Sequence, residues 1–582
     1  MISTARSFLA SLAPCVLLAA TLCGLVPTTV AAEPKRPALE YTIKVAPAGA
    51  VTEWHVKMKM KGNASGVTEL EIPSRWASRD DLGKGIQDLR VSGKEVILED
   101  AILDDEAVQV RRVRHPPGEA ITIEYRLTRI GNPDPESQKD AYAPVLSPQY
   151  FQVIGNGAWI VPRGERTKRF TIAMNWQLPA DWSIANSFGA NQRTQTFNTT
   201  LQNFRHALYL GGDFRLASFT VRNQPVWIAI RSDWGFFDEN LVDLAKRVFE
   251  TERNFWNDHS QPYYLISVIP VGRASDGVNT GGTALENAFA MFLAPRTQLK
   301  DIRFLLTHEY FHNWNPQKLG DLKSPEPLMY WWSEGVTDFY TQRLMLRSGL
   351  TSPKEFAKAY NDALRAYHES KARNAPNTRI NAEFWKDAAV GKLPYQRGML
   401  FAAVLDREIK TATNGRESLD DVMRDLFSVA RKPGAKPLDA DIINAAISKR
   451  LGRSYAAEIK RDIEEGQTVE LSDATLGACF ERKLVGFRPY ETGFDVQTSI
   501  ATRKVTGVDP NSAAYAAGLR DGMVAQGWSI HHGDPTKEIE VVTSEGDKRR
   551  TIKFFSVAKV EVVAPQFYLK PGLDKAALAK CD

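Results

Sequence analysis

Two histidines four residues apart, with a glutamate beside the first, make up the stretch His308-Glu309-Tyr310-Phe311-His312. On a helix that spacing puts both imidazoles on one face, where they can share a metal ion. Glu309 is then placed to take a proton from a water that the metal polarises. The chain has nine histidines in 582 residues, so chance seldom produces such a cluster. Leu299, Ile302, Leu305 and Leu306 recur at helical spacing and lead into His308 without Gly or Pro, and Pro316 stops the helix just beyond His312.

Two ligands leave a four-coordinate catalytic zinc one protein ligand short, with the last position kept for water. A metzincin would supply Gly at 315 and His at 318, but this chain has Asn315 and Lys318. The better candidate is Glu334, in the aromatic segment Tyr330-Trp331-Trp332-Ser333-Glu334-Gly335-Val336-Thr337-Asp338. A carboxylate there would be costly to bury without a partner. Asp338, four residues on, shares its helical face and is suited to accept the second ring N–H of a zinc histidine.

HEYFHNWN followed by WWSEGVTDFY is similar to the gluzincin pattern. More narrowly, it resembles the glycyl aminopeptidase family of PDZ-bearing metallopeptidases. The resemblance implies an N-terminal β domain, a thermolysin-like catalytic domain holding one zinc per chain, and a PDZ-like domain. Pro394-Tyr395-Gln396-Arg397-Gly398 is similar to a Tyr-x-Lys-Gly segment whose tyrosine stabilises the oxyanion, with Arg397 in place of lysine. Gly281-Gly282-Thr283-Ala284-Leu285-Glu286-Asn287 resembles a Gly-rich substrate strand whose glutamate binds the α-amine of a peptide. It departs from the family pattern at Ala284 and Asn287. The resemblance thus implies Glu286 and Gly282 as substrate-binding residues and Tyr395 as a catalytic one. Asn313, Trp314 and Asn315 match the family without a role that the residues themselves reveal.

Residues 1–32 carry one charge, Arg6, then an apolar run and the small residues Val30-Ala31-Ala32. That is the pattern of a secretory signal peptide cleaved before Glu33, which predicts a periplasmic or secreted protein with no membrane span after cleavage. The two remaining cysteines, Cys479 and Cys581, bracket the C-terminal region. In an oxidising compartment they either pair or stay as two thiols; spacing alone does not decide.

The length suits about three domains. The fold class expected is multidomain α+β. Its parts are an N-terminal β-sandwich (33–230), a mixed α/β and helical catalytic domain (231–472) and a PDZ-like β domain (473–582). Trp54 to Lys61 alternates apolar with polar as a half-buried strand does, and Leu241, Leu244, Val248 and Phe249 mark an amphipathic helix. Gly493-Phe494-Asp495-Val496 is a candidate carboxylate-loop strand of the PDZ-like part, which would take an extended peptide or a protein C-terminus. The net charge of +5 is too balanced to suggest nucleic acid. Three readings follow from these residues. They are a zinc aminopeptidase, a zinc endopeptidase whose PDZ-like domain selects the substrate, and a non-catalytic peptide-binding module.

Overall fold

The computed structural model describes residues 37–578 and 581, apart from 78, 104–107, 165–166, 274–279, 532 and 546–547. The expected signal peptide lies outside the described residues. Among the described residues no helix is long and apolar enough to cross a membrane.

Among the described residues the N-terminal region carries three sheets. The largest has six strands in the order Thr194–Thr200, Arg169–Gln177, Leu39–Ala48, Val51–Lys61, Ala120–Leu127 and Ile86–Ser92. In Val51–Lys61 the alternation read from the sequence puts Trp54, Val56 and Met58 inside. They meet Trp159, Trp176, Phe151 and Tyr209 in one aromatic core. Rings of this size bury much apolar area each and pack edge to face.

The second region is organised by a five-stranded sheet ordered Arg215–Val221, Gln224–Ile230, Tyr264–Pro270, Ala288–Leu293 and Thr280–Leu285. Its three middle strands are parallel, and Thr280–Leu285 forms an antiparallel edge. The helix Asp238–Trp256 crosses between two of the parallel strands and buries Leu241, Leu244, Val248 and Phe249, the face predicted for it. The first two strands of this sheet fall inside the stretch expected to belong to the N-terminal domain. Their alternation marks them as strands but not as members of either sheet, so composition places the boundary too late.

Helices follow the sheet: Leu299–Phe311, Thr337–Arg347, Pro353–Glu369, Leu393–Ala412, Leu419–Ala430 and Ala440–Leu451. Ser352 and Ser418 head capping boxes, and Asp439 caps the last of these helices.

From 473 the chain first adds to this same core. Strands Phe480–Phe487 and Val562–Leu569 pair with each other and pack on helix Pro353–Glu369. There the Asn361 amide pairs with both backbone groups of Phe567, at 2.8 and 2.7 Å, as a neighbouring strand would. Cys479 and Cys581 are joined in a disulfide within this core. Between the two strands the chain forms a separate small core around Phe494, Leu519, Val541 and Phe554. It carries the three-stranded sheet Val524–Ser529, Glu538–Glu545, Lys548–Phe555. The expected strand at Gly493–Val496 is not formed; Val496–Thr502 is a helix. Asp495 accepts from Thr498 N as its N-cap, and buried Ser499 accepts from Thr506 N, so local capping wins over strand pairing.

Candidate active site

Helix Leu299–Phe311 begins with a reciprocal capping box between Gln298 and Asp301. Ile302, Leu306, Tyr310 and Phe311 anchor it in the core, and Tyr310 stacks on Phe249 with ring centroids 3.6 Å apart. The Tyr310 hydroxyl accepts from Arg253 Nε and donates to Gln261. With one face locked in this way, His308 and Glu309 are turned toward the cleft, and His312 follows at the helix end.

The chain then turns through Asn313, Trp314 and Asn315, whose roles the sequence did not reveal. Asn315 Nδ2 donates to Trp332 O at 3.0 Å and to Thr337 Oγ1 at 3.1 Å. Its carbonyl accepts from His312 Nδ1 at 2.8 Å. One residue thus orients a histidine and fastens the helix end to the segment carrying Glu334. Trp314 Nε1 donates to Asp258, which also binds Lys318 Nζ. Burial works to raise the Asp258 pKa, but Lys318, Ser260 and Trp314 together hold it well below the usual carboxylate range. Trp331–Val336 is wound as a π-helix and Thr337–Arg347 continues it as an α-helix. Such π turns recur at functional sites.

A carbonyl can only accept, so His312 Nδ1 carries the proton of its ring. His308 Nδ1 lies 2.8 Å from Asp338 Oδ1 and is held the same way. Both Nε2 atoms therefore present lone pairs, 3.0 Å apart and each 3.4 Å from Glu334 Oε2. The ligand atoms of His308, His312 and Glu334 all lie within 4.8 Å of one another. Ligands about 2.0–2.1 Å from a tetrahedral zinc are roughly 3.3 Å apart, so the residues present fit such an ion. Two facing lone pairs and a carboxylate repel one another until a cation lies between them. Burial alone would raise the Glu334 pKa; positive charge beside it, on the imidazoles when they are protonated, outweighs burial and lowers it.

Glu309 is half-buried at the same mouth, and burial raises its pKa. That is the direction a proton acceptor and donor needs. Tyr395, on helix Leu393–Ala412, has its ring centroid 6.2 Å from that of His308. Burial, then the carboxylates of Glu334, Asp338 and Glu309, push its pKa up, so the phenol keeps its proton and can donate.

Two glycines set the distance between these segments. A Cβ on Gly335 would lie 2.4 Å from Gly398 Cα, and one on Gly398 would lie 2.1 Å from Trp331 O. The π-helix of Glu334 and the helix of Tyr395 touch backbone to backbone there, which only glycine allows. Arg397, in the lysine position of the motif, is buried and donates to the carbonyls of Arg373, Ala375 and Ile463. It is a clasp between loops and not a group facing the cleft.

The strand Thr280–Leu285 lies against helix Leu299–Phe311. Gly282 is in its middle, with its carbonyl 3.4 Å from Gln138 Nε2, and a Cβ there would strike the Phe289 ring. Glu286 stands past the strand end, where its backbone N–H donates to His206 O. Its carboxylate accepts from Asn287 Nδ2 at 3.2 Å and is held by Asn203. Burial raises its pKa, with Asn203 and more distant Arg169 opposing. The structure therefore brings His308, Glu309, His312, Glu334, Asp338 and Tyr395 together, and Glu286 stands at the junction with the N-terminal region, partnered by Asn203 and Asn287. Gln138 and Tyr142, which the sequence did not point to, belong to this side of the cleft. Gln138 donates to Tyr142 OH, and Tyr142 lies within the field of Glu309.

Residues 301–389 match a family model described as M61 glycyl aminopeptidase. The matched stretch contains His308, Glu309, His312, Glu334 and Asp338 and ends before Tyr395. No curated protein matches the chain. Among solved structures, an aminopeptidase N family protein from Idiomarina loihiensis is 14% identical, with a TM-score of 0.69 over 93% of this chain and 99% of that one. An M1 zinc metallopeptidase from Deinococcus radiodurans is also 14% identical, over 75% of this chain and 96% of that one, with a TM-score of 0.44. The fold is thus aminopeptidase-like, and the family match, with the His-His-Glu cluster inside it, supports a metallopeptidase of the gluzincin type.

Proposed function

We propose that the chain is an exported zinc aminopeptidase that removes residues from the free N-terminus of peptides. The observation that carries this reading is the convergence of His308 Nε2, His312 Nε2 and the Glu334 carboxylate beside Glu309 and Tyr395. A zinc ion held by those three, one per chain, would supply a Lewis acid that polarises the peptide carbonyl and makes water acidic enough to attack.

The chain's own residues do the rest. Asp338 and the Asn315 carbonyl fix both histidine tautomers. Glu309 takes the proton of the attacking water and passes it to the leaving amine. Tyr395 donates a hydrogen bond to the oxygen on which charge develops. Glu286 is the carboxylate for the substrate's α-ammonium: it is desolvated and held by the neutral amides of Asn203 and Asn287, so a cation would complete its surroundings. Gly282 lets the peptide backbone approach the edge strand. The signal-like residues 1–32 support export to the periplasm or beyond. The small core around Phe494 and Val541 is read as a PDZ-like module for a second, extended peptide.

One observation favours a second reading, a zinc endopeptidase: the Glu286 carboxylate is already engaged by Asn203 and Asn287. The mature protein should therefore be given peptides with free and with acetylated N-termini, with Glu309→Gln as the blank. Loss of single residues from free peptides alone, at least about a hundredfold faster than in the blank, is the expected result. Internal cleavage of both forms would establish the endopeptidase, and binding without cleavage the non-catalytic module.

A further inference from the structure

From Trp331 to Tyr340 every residue is buried except Glu334 and Asp338, and the half-buried Tyr330 stands just before them. Positions 330, 334 and 338 are four apart, so they fall on one face of the helical winding. Glu334 and Asp338 both meet the imidazoles, which makes this the cleft face. Tyr330 continues the line one turn outward from the metal ligand.

The Tyr330 ring meets Phe384 edge on, with centroids 4.8 Å apart at 66°. Phe384 in turn meets Trp385 at 4.8 Å and 85°. Trp385 ends the row and is 83% exposed, whereas Trp54, Trp159, Trp314, Trp331 and Trp332 are fully buried. An indole costs apolar hydration when left in water, so one so placed invites a partner. The row is also tied to both catalytic segments. It starts four residues before Glu334, and from Trp385 the chain runs through the short helix Ala388–Gly391 into the helix bearing Tyr395. Burial, with Glu326 and Glu334 adding, pushes the Tyr330 phenol up to about 12, so the row is uncharged at neutral pH.

We propose that Tyr330, Phe384 and Trp385 form a side-chain subsite of the active site, and that its occupant is an aromatic or large apolar side chain of the peptide held there. Continuity with the cleft face selects this occupant over a separate partner protein. The inference rests on the peptidase reading, and its test separates the two.

Zinc-loaded Glu309→Gln protein, which binds without turnover, is titrated calorimetrically with alanine-based hexapeptides carrying one phenylalanine at successive positions. At one position phenylalanine should bind about five- to tenfold more tightly than alanine. Trp385→Ala should abolish that ratio and Trp385→Phe should keep most of it; Trp385 is exposed, so neither change threatens the fold. A preference that survives Trp385→Ala, or no preference at any position, overturns the subsite. If the wild-type protein binds these peptides with the predicted ratio yet cleaves none, the subsite stands and the peptidase reading falls.

Discussion

The two walls of the cleft are built in different ways. The helical wall, from Leu299–Phe311 through Thr337–Arg347 to Leu393–Ala412, is locked by direct contacts between its own elements. Gly335 and Gly398 meet backbone to backbone. Buried Asp406 binds Arg343 at 3.3 Å, joining the helix of Asp338 to that of Tyr395. The strand wall is composite: Thr280–Leu285 is completed by Gln138, Tyr142, Asn203 and His206 from the N-terminal region. Groups on the first wall are positioned by backbone contact and a buried ion pair, which suits bond-making chemistry. Those on the second depend on how two regions dock, which suits recognition more than catalysis. Substitutions on the helical wall should act on kcat, and those on the strand wall on KM.

The strongest test of that division lies at Tyr395. If Tyr395 acts as proposed, Tyr395→Phe should lower kcat about 10²- to 10³-fold with little change in KM, because it removes one donor to the developing oxyanion. Gly398→Ala keeps the phenol but forces a Cβ against Trp331 O, so it should reproduce much of that loss while lowering Tm. Steady-state kinetics and thermal melts read both. A Gly398→Ala enzyme with native kcat would mean that the backbone contact does not set the position of Tyr395.

A smaller effect is expected one layer out, at Asp338→Asn. The amide can still accept from His308 Nδ1 but no longer carries the charge that orients and strengthens that ligand. Zinc affinity should fall about 10- to 100-fold, read by competition with a chromophoric chelator, and added zinc should restore most of the activity. Loss of activity that zinc does not restore would place Asp338 in the reaction itself.

The same division governs what could be read from the sequence. His308, Glu309 and His312 lie within one helical turn, Glu334 betrays itself as a carboxylate among buried aromatics, and Asp338 follows by helical spacing. Each of those signals is local. Asn315 acts through its backbone carbonyl and two bonds across the chain, which no residue pattern records. Gly335 and Gly398 owe their identity to a close approach between distant segments, and Gln138 and Tyr142 reach the cleft only because two regions dock. The boundary near 230 was misplaced for a related reason, since strand alternation is blind to which sheet a strand joins. At Val496–Thr502 local capping by Asp495 decided for helix, a signal that was present in the stretch read as the strand of the PDZ-like part.

The smallest and most discriminating effect belongs to Glu286 on the strand wall. If its carboxylate holds the α-ammonium, Glu286→Gln should raise KM for free peptides about tenfold, and leave kcat nearer to wild type than any helical-wall variant does. Stability should move the other way. Burial raises the folded-state pKa of Glu286 above its unfolded value, so the folded protein binds more protons. The stability attached to this group is therefore greatest at low pH and falls as pH rises past the unfolded pKa. Glutamine has no charge to desolvate, so Glu286→Gln should melt at a higher temperature than wild type at neutral pH, the gap closing near about pH 4. A carboxylate kept for binding at the expense of stability is what a recognition wall predicts. A variant with unchanged KM and a lower Tm would make Glu286 a structural link to Asn203, and the amine anchor would then have to be sought nearer Gln138 and Tyr142.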